Sequence, residues 1–317
     1  MSIQTRKSKY FRNCLVIGLA LVILLSPRLK DFAKPVPTHD PLSPSLQEYH
    51  HLFGYLNQAG FILPDVQELF CDPRVEYYRD IAISLYHPPR MEHYSSIYFH
   101  KAGETYEIDE FITRYAQQLK HAEERFGVNR EAIVAVLFVE TKIGKIVGNH
   151  SVFNVLSSLS LADSPPSLRQ IENHINERYH YLDYDKRQEL IQYYQNRAER
   201  KAVWARAEFA SLLRLHFDSH LDILELPGSY AGAFGYPQFM PSNVQRYGVD
   251  GDNDGIIDLY NFSDAIMSVG NFLSKKGWTE DTERQYRALL RYNNSHSYVE
   301  NVLETASSIL AENDFID

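Results

Sequence analysis

The stretch AIVAVLFVETKIGK, residues 132–145, sets an unbroken apolar run, Ala132 to Val139, directly before a glutamate, Glu140. A run apolar on every side is no surface stripe; it belongs to a buried element, helix or strand. A carboxylate at the end of such an element is costly to ionise. If 130–141 is a helix, Glu140 lies in its last turn, where desolvation and the negative end of the helix dipole both raise its pKa. A carboxylic acid held protonated near neutral pH is what a general acid requires, for instance to protonate a glycosidic oxygen. The plainer alternative is that Glu140 reaches solvent or pairs with Lys145, with Lys142 offsetting the shift if it points the same way.

Around this stretch the patterns are helical. SLQEYHHLFGYLNQAG has apolar residues at 46, 49, 53 and 56 and a closing Gly60. IDEFITRYAQQLKHAEERFG, 108–127, repeats that form and stops at Gly127. The buried element itself has Asn129 as an N-cap and Gly144 as its end. A charged helical stretch runs from DSPPS (163–167) to Leu226, and 262–278 and 298–313 are two more helices. No repeats and no strand ladder are evident, so the fold class is mainly α.

The 317 residues, 44% hydrophobic and 23% charged, allow one large or two modest globular domains. A formal charge of −9 without a basic face speaks against a nucleic-acid partner. The 22 tyrosines suit a packed helical core or a saccharide groove, the core being the simpler reading. Arg6, Lys7, Lys9 and Arg12 precede CLVIGLALVILL (14–25), the layout of an export signal. Residues 1–33 therefore read as a signal or an uncleaved membrane anchor, and the prolines of 34–45 as an extended linker. The expected location is the periplasm or cell envelope, with a tether to the inner membrane. Residues 46–317 form the remaining domain. Cys71 has no partner beyond this segment and reads as a buried small hydrophobe.

Three further stretches carry chemistry. GSYAGAFGYPQFMPS, 228–242, combines Gly228, Gly232 and Gly235 with Ser229, Gln238 and apolar walls from Tyr236, Phe239 and Met240. Such glycines allow close backbone approach to a ligand, or simply a tight connection between helices. VDGDNDGIIDLYN, 249–261, spaces Asp250, Asp252 and Asp254 before Gly255 as in the first half of an EF-hand-like calcium loop. The Ile256 carbonyl would be the next ligand. Asn261 falls at the twelfth position in place of a bidentate glutamate, so the site is weak or borrows Asp264. The alternative is a plain surface turn. RYNNSHSYVENV, 291–302, is a polar-aromatic cluster with Ser295 or Ser297 able to cap the last helix.

VETKIG after an apolar helix, the glycine-rich strip, the aspartate loop and RYNNSHSY occur in that order, and together they resemble the lytic murein transglycosylase B family. The resemblance spans roughly residues 50–315. It implies a lysozyme-like helical core with an N-terminal helical region, and cleavage of peptidoglycan glycan strands between N-acetylmuramic acid and N-acetylglucosamine. Glu140 matches the single catalytic glutamate, which acts as acid and then as base while a 1,6-anhydro ring closes. Ser229, Gln238, Phe239, Met240, Tyr292, Asn293 and Tyr298 match substrate-side positions. The aspartate loop matches a structural calcium site, with no organic cofactor. In place of the family's aromatic-Pro-Arg-Arg stretch, residues 161–168 read LADSPPSL, followed by a helical insertion at about 169–205. A hydrolysing muramidase, or a peptidoglycan-binding scaffold protein, are the alternatives on the same scaffold.

Overall fold

The apolar run is a helix, and the rest of the fold is arranged around it. The computed structural model describes residues 49–78, 81, 102–219 and 221–313. The expected signal or anchor (1–33) and linker (34–45) lie outside the described residues. In chain order the first elements are α1 (His50–Gln58), α2 (Leu63–Leu69), α3 (Ala102–Arg114), α4 (Ala116–Phe126) and α5 (Arg130–Thr141). Then come β1 (His150–Ser151), α6 (Val152–Leu159), α7 (Pro165–Arg178), α8 (Tyr184–Ser219) and β2 (Pro227–Gly228). α9 (Pro241–Tyr247), α10 (Phe262–Lys275), α11 (Thr282–Tyr292) and α12 (His296–Asn313) complete the order.

Ala132 through Phe138 of α5 are all buried, because this helix is covered by α12, α10, α4 and α3. Asn129 is its N-cap residue, but its side-chain amide turns to Glu131 instead of the first-turn amides. The helix ends earlier than Gly144: Lys142, Ile143 and Gly144 follow with φ of 51°, 54° and 80°. The left-handed conformation is costly for a β-branched residue such as Ile143. The single helix expected over 108–127 is two, broken at Tyr115, which has φ −107° and ψ 23° between α3 and α4. Cys71, expected to be buried, is exposed in the turn that follows α2, where the chain has left the core.

The charged stretch after residue 163 forms α7 and the long α8, which pack on each other and on α6. Their shared apolar seam, with Ile171, Ile175, Ile191, Ala198, Ala202 and Ala205 against Val155 and Leu159, is a second cluster beside the main core. Small alanines on α8 let the helices approach closely. Arg206 fastens the start of this unit by donating to both carboxylate oxygens of Asp163 and to the Ser160 carbonyl.

What positions the end of α5 is a set of links to the glycine-rich strip. β1 and β2 pair antiparallel, with His150 opposite Gly228 and Ser151 opposite Pro227. Gly148, at φ +91°, lies so close to β2 that a Cβ would stand 2.1 Å from the Gly228 oxygen. Gly148→Ala should therefore lower the melting temperature by several degrees, because the left-handed backbone alone costs about 1–2 kcal/mol and the neighbour is immovable backbone. Gly54 in α1 faces open space. Gly54→Ala is expected to hold or slightly raise the melting temperature. Equal melts for both variants would contradict this packing.

Candidate active site

Glu140 sits in the last turn of α5, half-buried, at the point where three other segments converge. The Thr141 hydroxyl beside it is shared between the Leu137 carbonyl at 3.2 Å and the Tyr236 carbonyl at 2.9 Å, and accepts from the Gly144 amide. Tyr236 stacks on Phe262 with centroids 4.1 Å apart, and its ring fills the space a side chain at Gly144 would need. Gln238, itself at φ 49°, donates through Nε2 to the carbonyls of Val147 and Gly235. The end of the helix is thus tied to the strip both by hydrogen bonds and by ring packing.

Burial pushes the Glu140 carboxyl up to about 7, and interaction with the Tyr298 hydroxyl opposes the shift. Among the described residues no other acidic side chain contributes to this titration. The two expected positive neighbours are engaged elsewhere. Lys145 pairs with Glu107, and the Lys142 ammonium lies 3.8 Å from the centre of the Phe138 ring. The simple surface reading of Glu140 therefore does not hold.

Tyr298 is buried, and its hydroxyl has no partner within hydrogen-bond geometry among the described residues. It is nevertheless near enough to Glu140 to influence its proton, and Glu140 in turn raises the Tyr298 pKa after burial does. Tyr292 stacks on Tyr298, centroids 6.2 Å apart and planes at 14°, and donates to the Pro237 carbonyl at 2.6 Å. Burial, then the charge of Glu140, raises the Tyr292 pKa as well. These tyrosines, expected on the groove side, form the wall behind the carboxyl.

The remaining expected residues are distributed around this centre. Phe239 is fully buried and packs on Phe272 and Tyr292, so it supports the groove from inside while Gln238 and Met240 stay half-buried. The Ser229 oxygen accepts from the Ala231 and Ala233 amides at 3.3 and 3.1 Å, which shapes the turn. Asn293 ends α11, exposed, with its carbonyl accepting from Ser295. Ser295 caps α12 through the Tyr298 amide. Thr141 was not singled out from sequence, since a threonine after a glutamate carries no signal of a distant carbonyl partner.

In the aspartate loop, Asp250, Asp252 and Asp254 each bring a carboxylate oxygen within 4.8 Å of the others. Backbone amides of Asn253, Asp254 and Gly255 donate to Asp250, and that of Ile256 to Asp254, so the loop is already wound. The triad fits a hard cation, which takes oxygen ligands at 2.3–2.6 Å. Ile256 is exposed at the loop's outer edge. Asn261, at the twelfth position, caps α10 with its oxygen through the Ser263 amide and donates to Asp252 with its nitrogen. Asp264 is no substitute, because it is buried with each oxygen held by a backbone amide, from Gly251 and Asp258.

The raised acid has a stability consequence. Unfolded, the Glu140 carboxyl titrates near 4.5; folded, near 7, so it opposes folding progressively as pH rises from 4.5 through 7. Glu140→Gln should melt with the wild type at pH 4 and above it at pH 8. Tyr298→Phe removes the opposing influence and should move the carboxyl's titration upward, measured by carbon-labelled glutamate resonances. A downward movement would show that the hydroxyl acts differently.

The comparisons with known proteins agree with this architecture. The transglycosylase SLT domain matches residues 56–286. The membrane-bound lytic murein transglycosylase B of Escherichia coli K12 is 32% identical over 170 residues, 54% of this chain and 37% of that protein. The chain thus spans little more than a third of the length of that relative. Soluble lytic transglycosylase SltB1 of Pseudomonas aeruginosa superposes with a TM-score of 0.65 at 23% identity, covering 83% of this chain and 99% of SltB1. Lytic transglycosylase Slt35 of Escherichia coli, solved in complex with calcium, superposes with a TM-score of 0.62 at 19% identity, covering 84% and 93%. With most of its length matched from residue 56 onward, the chain belongs to the transglycosylase SLT domain family.

Proposed function

We propose that the protein is a peptidoglycan lytic transglycosylase that cleaves the bond between N-acetylmuramic acid and N-acetylglucosamine and leaves 1,6-anhydro ends. The observation that carries this reading is a half-buried carboxyl at the end of α5, held near pH 7, with no second carboxylate acting on it among the described residues. Glycosidases that work through two carboxylates need a nucleophile or a base beside the acid. A single group suffices where the substrate supplies its own nucleophile. Family membership and the murein transglycosylases among the relatives support the same substrate class.

In this reading Glu140, protonated, gives its proton to the glycosidic oxygen as the bond from the muramic C1 breaks. The resulting carboxylate then takes the proton from the muramic six-position hydroxyl, whose oxygen closes on C1. The proton count balances and no water is consumed. A pKa near 7 suits both halves, because the acid and base forms are then of comparable stability. Tyr298, without a partner in the free enzyme, would donate to the carboxylate when it forms. Ser229, Gln238, Met240 and Asn293 would hold sugar groups along the strip, with Tyr292 and Phe239 behind them.

Asp250, Asp252 and Asp254 would hold a calcium ion, as the complex of Slt35 with calcium supports by analogy. Its contribution would be to the stability of the loop, which leads directly into α10. The N-terminal segment would tether the domain to the inner membrane on its periplasmic side. Among the described residues no helix is long and apolar enough to cross a membrane.

Incubation of the protein with purified peptidoglycan should release muropeptides one water lighter than their hydrolytic counterparts, and Glu140→Gln should release none. Reducing-end products would transfer the protein to the hydrolysing muramidases. Binding without release by the wild type would make it a scaffold. Separately, a calcium chelator should lower the melting temperature and added calcium restore it. An unchanged melt in both directions would remove the cation from the loop.

A further inference from the structure

A cavity of about 490 Å³ opens at the far end of the helix that carries Glu140. Asn129 and Ala132, at the start of α5, line it together with Glu123 of α4. Leu303, Ser307 and Leu310 line it from α12, the helix that packs along α5. Trp278 and Glu280 of the turn after α10, and Gln285 of α11, complete the wall. At about 1.5 Å per residue, Ala132 lies about 12 Å along the helix from Glu140. None of the residues around the acid lines this space. Its volume falls within the roughly 300–1,000 Å³ of ligand pockets.

The polar groups in this cavity are mostly acceptors. Glu123 accepts from the Arg130 amide at 3.3 Å, and neither Glu123 nor Glu280 forms an ion pair among the described residues. The nearby cations are engaged elsewhere: Lys120 pairs with Glu124, and Arg130 with Glu131. Asn129 and Gln285 commit their amide nitrogens, to Glu131 at 3.1 Å and to the Thr279 carbonyl at 3.0 Å. Their oxygens are left to accept. Against these acceptors stands Trp278. It is only 7% exposed, yet its indole N–H meets no acceptor among the described residues and is not sealed from solvent. A donor on so buried a ring ordinarily has a partner.

We propose that this cavity is a second, non-catalytic saccharide site, which takes an uncharged, hydroxyl-rich ring. No lysine, arginine or histidine lines it among the described residues, so an anionic ligand finds no counter-charge. An organic cation would satisfy Glu123 and Glu280 but offers nothing to the Trp278 N–H. A hydroxyl both donates and accepts, so a sugar can meet the carboxylates, the carboxamide oxygens and the indole at once. Leu303 and the exposed Leu310 supply an apolar side for the C–H face of the ring. That the ring belongs to a strand also held in the cleft rests on the glycan reading of Glu140; the class of ligand rests on the cavity alone.

The test reads the Trp278 indole resonance of the nitrogen-labelled full chain, with N,N′-diacetylchitobiose as the probe. Trp278→Phe assigns the signal against that of Trp204, the other tryptophan. The disaccharide should move the signal saturably. Glu280→Ala should weaken that binding about tenfold, the scale of a charge-assisted hydrogen bond. The Glu280 side chain is exposed and has no partner among the described residues, so this variant should melt with the wild type. Glu140→Gln should leave the movement intact. Loss of movement in Glu140→Gln, with Glu280→Ala unaffected, would put the sugar in the cleft and overturn the second site. Movement with cadaverine in place of the disaccharide would mark a cation pocket and overturn it too. No movement with the disaccharide, alongside release of muropeptides from peptidoglycan, would remove the second site and leave the glycan reading standing. Saturable movement without release would keep the site and remove that reading.

Discussion

The hydroxyl of Thr141, held against the Tyr236 carbonyl, fixes the end of the buried helix to a strip nearly a hundred residues away in sequence. Without that bond the last turn of α5 would have no reason to stop where it does. The three left-handed residues after it, including the β-branched Ile143, are a strained path that the chain takes only because both sides hold it. Gly144 against Tyr236, Gly148 against Gly228 and Gln238 on Val147 are further holds on the same turn. All act within a few residues of Glu140. Under the proposed function this rigidity would matter, because small displacements of a proton donor cost rate steeply.

The same construction sets an electrostatic conflict. Burial of the carboxyl raises its pKa, and interaction with the Tyr298 hydroxyl opposes that rise. A fully hydrogen-bonded carboxylate would be more stable and a poorer acid. Leaving a buried hydroxyl unpaired costs free energy as well. Burial acts on Glu140 in one direction: it favours the protonated carboxyl.

Much of this was legible in the sequence, for reasons that can be named. The run from Ala132 to Val139 admits few environments, and its meeting with Glu140 announced a buried acid. Gly127 and Ser295 marked helix boundaries because capping chemistry is local. What stayed hidden depends on the third dimension. Phe239 and Tyr298 differ in no local way from groove aromatics, yet one is in the core and the other stands behind the carboxyl. Asn261 satisfied a spacing rule while its side chain was already committed to capping α10.

The aspartate loop shows how far shape and charge can be separated. Its winding is held from within by backbone amides on Asp250 and Asp254, and from beneath by buried Asp264, whose two oxygens fasten Gly251 and Asp258. Burial, more than the charges of Asp252 and Asp250, raises the pKa of Asp264. Three carboxylates within 4.8 Å of one another repel, and the amide donors offset only part of that. Relief of this repulsion is transmitted in a definite direction, because the loop ends at the cap of α10, and Phe262, the first residue of that helix, stacks on Tyr236. The ring that receives this support belongs to the residue whose carbonyl holds Thr141. Stability of the loop and geometry of the acid thus meet at one aromatic pair.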